Sequence, residues 1–201
     1  MKLYYSPGAC SMASHLALTE AGLKFQTAAV DLRKKTFEGG DFKTVNPKGQ
    51  VPALQLDNGE VLTEGSAILQ YIADQKPEMK LVPAAGTLER YRCQEWLNYI
   101  ATEVHKGFSP LWNPQVTEDA RNQAITKLSK DFEFLNKSLQ GKNFLMGAQY
   151  SIADAYLFTV LGWSSMVKVD LTPWSQILGF MERVGQRSAT QAALKAEGLL
   201  H

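Results

Sequence analysis

The chain has 201 residues, 45% apolar and 20% charged, enough for one large or two small globular domains with a substantial core. Its 21 basic and 20 acidic residues leave a net charge of +1, so no basic field marks a nucleic-acid or membrane partner. No apolar run approaches the ~18 residues of a membrane span, and no signal-peptide core precedes the first strand pattern, so a cytoplasmic setting is expected.

Two cysteines, Cys10 and Cys93, make no disulfide framework, and a reducing compartment would keep both as thiols. His15, His105 and His201 are scattered, and no Cys/His spacing matches a metal site, so no metal is expected.

The first element reads as a buried strand, Leu3-Tyr4-Tyr5, broken by Ser6-Pro7-Gly8. From Ala9 the pattern turns helical, with Met12 and Leu16, and Ala13 and Ala17, recurring at i+4. Cys10 then sits at or beside a helix N-terminus, where unpaired amides and the helix dipole favour a thiolate. The plainer reading makes Cys10 one more small buried hydrophobe.

Gly22 is a plausible helix stop, and Phe25 to Val30 with Asp31-Leu32 reads as a second strand. Arg33-Lys34-Lys35 belongs to a polar connection and reads on its own as solvated surface. In Asn46-Pro47-Lys48-Gly49-Gln50-Val51-Pro52-Ala53, Val51–Pro52 is a candidate cis bond that would leave the backbone of Val51 open to an extended ligand. Asp57-Asn58-Gly59 between two apolar runs predicts a hairpin. Thr63-Glu64-Gly65-Ser66 opens a helix whose first amides could hold a carboxylate, the plainer reading being an ordinary cap.

Lys76 to Gly86 looks like a linker, after which the chain is helical throughout. The first long helix carries Cys93, Leu97, Ile100, Val104 and Leu111 at core spacing, beside a polar stripe of Asn98, Thr102 and His105. A second helix spans about Glu118 to Leu139. A third begins at Ser151 with Asp154 at N3, a variant capping box, and is apolar on most sides. Pro173-Trp174 opens another helix to about Arg187, and a last one follows from Ala189.

An α/β module followed by an all-helical stretch, with Ser6-Pro7-Gly8-Ala9-Cys10, the Asn46–Leu54 run, Leu62-Thr63-Glu64-Gly65-Ser66 and Ser151-Ile152-Ala153-Asp154 in that order, resembles the cytosolic glutathione transferases. Cys10 with Asn98 and His105 is similar to the bacterial beta class. The resemblance implies a thioredoxin-like glutathione-binding domain over 1–76, a linker over 77–86, and an all-helical domain over 87–201 that carries the electrophile pocket. It implies a homodimer that uses glutathione as co-substrate and needs no cofactor. Cys10 and His105 would flank the glutathione sulfur as catalytic residues, and the backbone of Val51 would pair with the cysteinyl amide. Lys35 would reach the glycyl carboxylate, while Glu64, Gly65 and Ser66 would hold the γ-glutamyl end. Asn98, Thr102, Glu103 and Val104 would contribute from the long helix, some of them from a partner subunit. Gly65 stands where many relatives carry Ser or Thr, and Tyr4, Tyr5 and Ser11 remain open as helpers of Cys10.

The expected reaction is attack of glutathione thiolate on a small aromatic or halogenated electrophile, with Phe108, Trp112 and Trp163 as candidate lining of the pocket. The alternatives are monothiol disulfide exchange through Cys10, since Ala13 occupies the Cys-x-x-Cys place, and a non-catalytic binder of apolar ligands.

Overall fold

The computed structural model describes residues 1–200, so His201 lies outside the description. The chain divides into two compact units, Met1–Val82 joined by the stretch from Gln186 on, and Pro83–Gly185.

The first unit is built on a six-stranded sheet of order β4-β3-β2-β1-β5-β6. β1 (Lys2–Tyr5) pairs in parallel with β2 (Gln26–Asp31) and antiparallel with β5 (Ala53–Gln55). α1 (Ser11–Glu20) makes the crossover that a parallel pair requires. β5 and β6 (Val61–Thr63) form the predicted hairpin, with Gly59 at φ +89° in the turn. β3 (Thr36–Phe37) and β4 (Gly40–Asp41) add a two-residue ladder at the other edge, too short to show any alternation in sequence.

Strand side chains alternate between faces, so Leu3 and Tyr4 on β1 serve different layers. Tyr4 packs with Val30, Phe42, Val51 and Ala53. Leu3 and its cross-strand partner Leu54 are both fully buried. α2 (Gly65–Asp74) buries Ile68, Leu69, Ile72 and Ala73 at helical spacing and packs on α1, β5 and β6.

The last helix corrects the expected domain boundary. α7 (Ser188–Ala196) packs on α1, so the helical domain does not run on from 87 to 201 but stops at Gly185. The reason is ionic as well as apolar. Arg187 donates from Nε and Nη2 to the two carboxylate oxygens of Glu20 at 2.6 and 2.9 Å, and Glu197 pairs with His15.

The second unit is all helix. α3 (Leu88–Tyr99) is capped by Thr87, whose hydroxyl accepts from Arg90 N, and continues without a break into a π-helical turn at Ile100–His105. A 3₁₀ turn (Ser109–Trp112) leads to α4 (Glu118–Ser138), followed by α5 (Ile152–Met166) and α6 (Ser175–Gly185). α5 is buried on nearly every side, as its composition predicts. None of the described helices is long and apolar enough to cross a membrane.

Asp154 anchors the start of α5. Its carboxylate, with no exposed surface, accepts from Ser151 N and Oγ at 2.8 and 2.7 Å and from Leu145 N at 2.8 Å. Burial still outweighs these bonds and pushes the group up to about 6 from its ordinary 3.8. A raised carboxyl favours the folded state fully below the unfolded value and ceases to do so as pH rises through the folded one. Asp154→Asn should therefore lose a stabilising contribution that grows as pH falls from about 6 to 3.8, visible in urea midpoints across that range. Asp154→Ala leaves two buried amides without an acceptor, at about 1–3 kcal/mol each, and should lower the unfolding free energy at neutral pH by about 3 kcal/mol or more.

Candidate functional site

The turn after β1 presents Cys10. Gly8 sits at φ +70°, a region that side chains strain to adopt, and Cys10 follows as the N-cap of α1. Cys10 is half-buried, and its Sγ donates to the carbonyl of Val51 at 3.2 Å. The thiol thus stands where the unshared amides of the first helical turn favour negative charge.

Val51–Pro52 is cis, and sheet pairing begins only at Ala53, opposite Tyr4 and Thr63. The backbone of Val51 therefore lies outside the ladder, as its sequence context suggested.

Two of the three suggested helpers of Cys10 have other duties. The hydroxyl of Ser11 accepts from Ser6 N at 3.1 Å and donates to Ser6 O at 3.2 Å, which closes the turn from within. Tyr4 is buried between Phe37 and Phe42 and donates to Gln55 Oε1. Tyr5 is half-buried, and burial and the charge of Glu197 raise its phenol above 10.

Lys35 occupies the left-handed region at φ +57° and donates from Nζ to the carbonyl of Gly49 at 2.9 Å. It is therefore more than a solvated charge: it ties the β2–β3 turn to the loop that delivers Val51. Glu64, at φ +70° and ψ +114°, holds a conformation that costs a non-glycine residue about 1–3 kcal/mol. Its carboxylate pairs with Lys48, which also donates to Thr63 Oγ1 at 3.1 Å. As the N-cap of α2, Glu64 offers no side-chain bond to the helix, so the amides of Gly65 and Ser66 face outward from an uncapped end. Added at Gly65, a Cβ would stand 3.9 Å from the ring of Pro52, an ordinary contact, so packing does not demand glycine there.

The residues predicted on the long helix lie in the second unit, and the structure divides them. Asn98 and Thr102 are exposed on one face, with Thr102 Oγ1 donating to Asn98 O at 3.1 Å. Glu103 pairs with Lys127 at 2.9 Å, and Val104 is fully buried. His105 does not continue the stripe that a regular helix would draw from Asn98. A π-turn closes on the fifth residue and not the fourth, so it advances more slowly around the axis and leaves His105 rotated off that face. The ring packs edge-on against Trp163 at 4.8 Å, and Nδ1 is hydrogen-bonded to Tyr156 Oη at 2.7 Å. Burial, and secondarily the charge of Lys106, pushes the imidazole down to about 4. At neutral pH His105 is an uncharged hydrogen-bonding group. Phe108 and Trp112 extend the aromatic cluster around Trp163, with Phe108 buried and Trp112 exposed.

Cys93 behaves as its apolar spacing predicts. It is fully buried, and burial, with Asp154 nearby, pushes its thiol up to about 11. Among the described residues, no group of three or more His, Cys, Asp or Glu is placed to hold a metal ion. Sequence reasoning missed Tyr156, Glu197 and Arg187, whose partners lie 51 to 189 residues away and leave no local pattern.

Comparison with known proteins places both parts of the chain in one family. Residues 8–75 match the glutathione S-transferase N-terminal domain, and residues 99–187 match the C-terminal domain. Glutathione S-transferase GstA of Escherichia coli O157:H7 is 50% identical over 99% of this chain and 100% of its own. A sphingomonad glutathione S-transferase solved with glutathione is 46% identical, with a TM-score of 0.96 over the full length of both chains. The beta-class enzyme of Sphingomonas chungbukensis is 48% identical, also at 0.96 over both full lengths. A thiol at the start of α1, a thioredoxin-like sheet unit and an all-helical unit, in a chain this close to beta-class enzymes, have one reading: the protein belongs to the glutathione S-transferase family, in its bacterial beta class.

Proposed function

We propose that the protein joins the glutathione thiolate to a small electrophile, aromatic or halogenated, with the sulfur held beside Cys10. The observation that carries this is the pairing of the Cys10 thiol with the carbonyl of Val51, at a helix start and next to backbone left out of the sheet. That combination offers an extended peptide both main-chain partners and a polar environment for its sulfur. The sphingomonad relative, solved in complex with glutathione, supports the choice of ligand.

On this reading the first unit binds glutathione through Cys10, Lys35, Val51, Glu64, Gly65 and Ser66. Lys35 meets the glycyl carboxylate. The uncapped amides of Gly65 and Ser66, with Glu64, take the zwitterionic γ-glutamyl end, amides to its carboxylate and Glu64 to its ammonium. Asn98, Thr102, Glu103, Val104 and His105 are the residues proposed from the second unit, and a homodimer in the cytoplasm is the proposed setting. With a halogenated acceptor, the thiol proton passes to solvent, the sulfur forms a bond to carbon, and the carbon–halogen bond breaks as halide leaves with its electron pair. Each tenfold gain needs only about 1.4 kcal/mol, a scale that a few oriented hydrogen bonds reach.

A second reading, monothiol disulfide exchange, rests on the same half-buried thiol. The two separate on one variant. Cys10→Ala should keep a substantial part of the conjugation of a chlorinated nitroarene, because the attacking sulfur belongs to glutathione. It should abolish reduction of a glutathione mixed disulfide, which needs Cys10 as covalent nucleophile. Loss of both activities in a folded variant that still binds glutathione would overturn this division. If neither reaction is detected in the wild-type protein, a binding role replaces both.

Lys35→Ala tests the carboxylate contact. A hydrogen bond to a charged group contributes about 1.5–3 kcal/mol, so calorimetry should show glutathione affinity falling about tenfold or more. Unchanged affinity would leave Lys35 as a loop tie to Gly49 only.

His105 supplies a pH test. Because it is neutral well above pH 4, the inflection of conjugation rate between pH 6 and 9 should persist, at lower amplitude, in His105→Gln.

A further inference from the structure

The interior of the first unit holds a carboxylate that the proposed reaction leaves unused. The Glu197 side chain has no exposed surface. Its Oε2 accepts from the amide of Gly8 at 2.9 Å, and its Oε1 lies 2.8 Å from His15 Nδ1. An ionised carboxylate can only accept, so Nδ1 carries the hydrogen and donates it. The His15 ring is itself held edge-on by Phe25 and Tyr5, at 5.4 and 6.0 Å.

These two partners bracket Cys10 along the chain. Gly8 lies in the turn before it, and His15 on the helix after it. Leu199, just beyond Glu197, covers the same turn, its methyl carbons 3.7–3.8 Å from where a Cβ on Gly8 would stand. Docking of α7 alone does not call for this. The other end of that helix is already pinned to α1 by Arg187 and Glu20, and a buried charge is a costly way to add adhesion that apolar side chains supply.

We propose that Glu197 is a positioning residue for Cys10, holding the turn and the helix start in the one relation that keeps Sγ on the carbonyl of Val51. The proposal builds on the reading of Cys10 as the glutathione site. It implies that the far C-terminal segment sets the reactivity of a residue near the N-terminus.

The test uses the full chain at a temperature well below its unfolding midpoint. Three variants are compared with wild type, Glu197→Ala, Glu197→Gln and Arg187→Ala. The readouts are the rate of alkylation of Cys10 by iodoacetamide, followed on its own peptide, and the dissociation constant for glutathione. Glu197→Ala should speed alkylation at least fivefold, by releasing the thiol from Val51, and weaken glutathione binding at least fivefold. Glu197→Gln keeps an acceptor for the Gly8 amide and should stay within twofold of wild type on both. Arg187→Ala should lower the unfolding midpoint while leaving both readouts within twofold. If Glu197→Ala is destabilised but matches wild type in alkylation and binding, the carboxylate is structural only and the proposal fails. Should the alanine variant not fold, Glu197→Asp, which keeps the charge but ends one methylene short of Gly8, is held to the same criteria. A wild-type protein that does not bind glutathione would sink the functional reading, while the alkylation comparison would still decide the role of Glu197.

Discussion

Everything in the first unit is registered against β1. This four-residue strand is paired on both edges, in parallel with β2 and antiparallel with β5. Because side chains alternate, a slip of one residue would exchange Leu3 and Tyr4 between layers and dismantle both cores at once. The same register sets where the strand stops, and hence where the turn releases Cys10. It also aligns Ala53 with Tyr4, which places Val51 two residues outside the ladder and within reach of the thiol. The site is thus a by-product of strand pairing: a thiol and an unladdered backbone meet because both chains run out of partners at the same level.

Much of this was legible from local chemistry. The Asp57-Asn58-Gly59 turn, the helix starts at Cys10 and Gly65, the Val51–Pro52 bond and the capping box at Asp154 are each written in a few adjacent residues, and each lies where it was expected. Periodicity also identified Cys93 as core, and it is fully buried, with burial raising its thiol to about 11.

What was not legible came from two sources. One is a change of helical repeat. The stripe from Asn98 to His105 assumes 3.6 residues per turn, and the π-turn at Ile100–His105 breaks that assumption without a proline or glycine to announce it. The other is long-range pairing of ordinary residues. Nothing around Glu197, just past the end of a short amphipathic helix, marks it as the one that goes inside, because its partners at Gly8 and His15 are some 180 residues away. Lys35 falls between these cases. Its charge run suggested solvent, yet its left-handed backbone turns the ammonium inward to Gly49.

The division of the chain has a consequence for the order in which the protein matures. The first unit is discontinuous, with the whole of Pro83–Gly185 made between its two parts, while the second unit is contiguous. On the ribosome, synthesis runs from the N-terminus, and contiguous domains fold as they emerge. The sheet begins first here but must wait for α7, so the helical unit can complete its core while the older part of the chain is still open. Birth order and completion order are reversed, and Cys10, in the earlier of the two stretches that form the first unit, is among the last groups to reach its final surroundings.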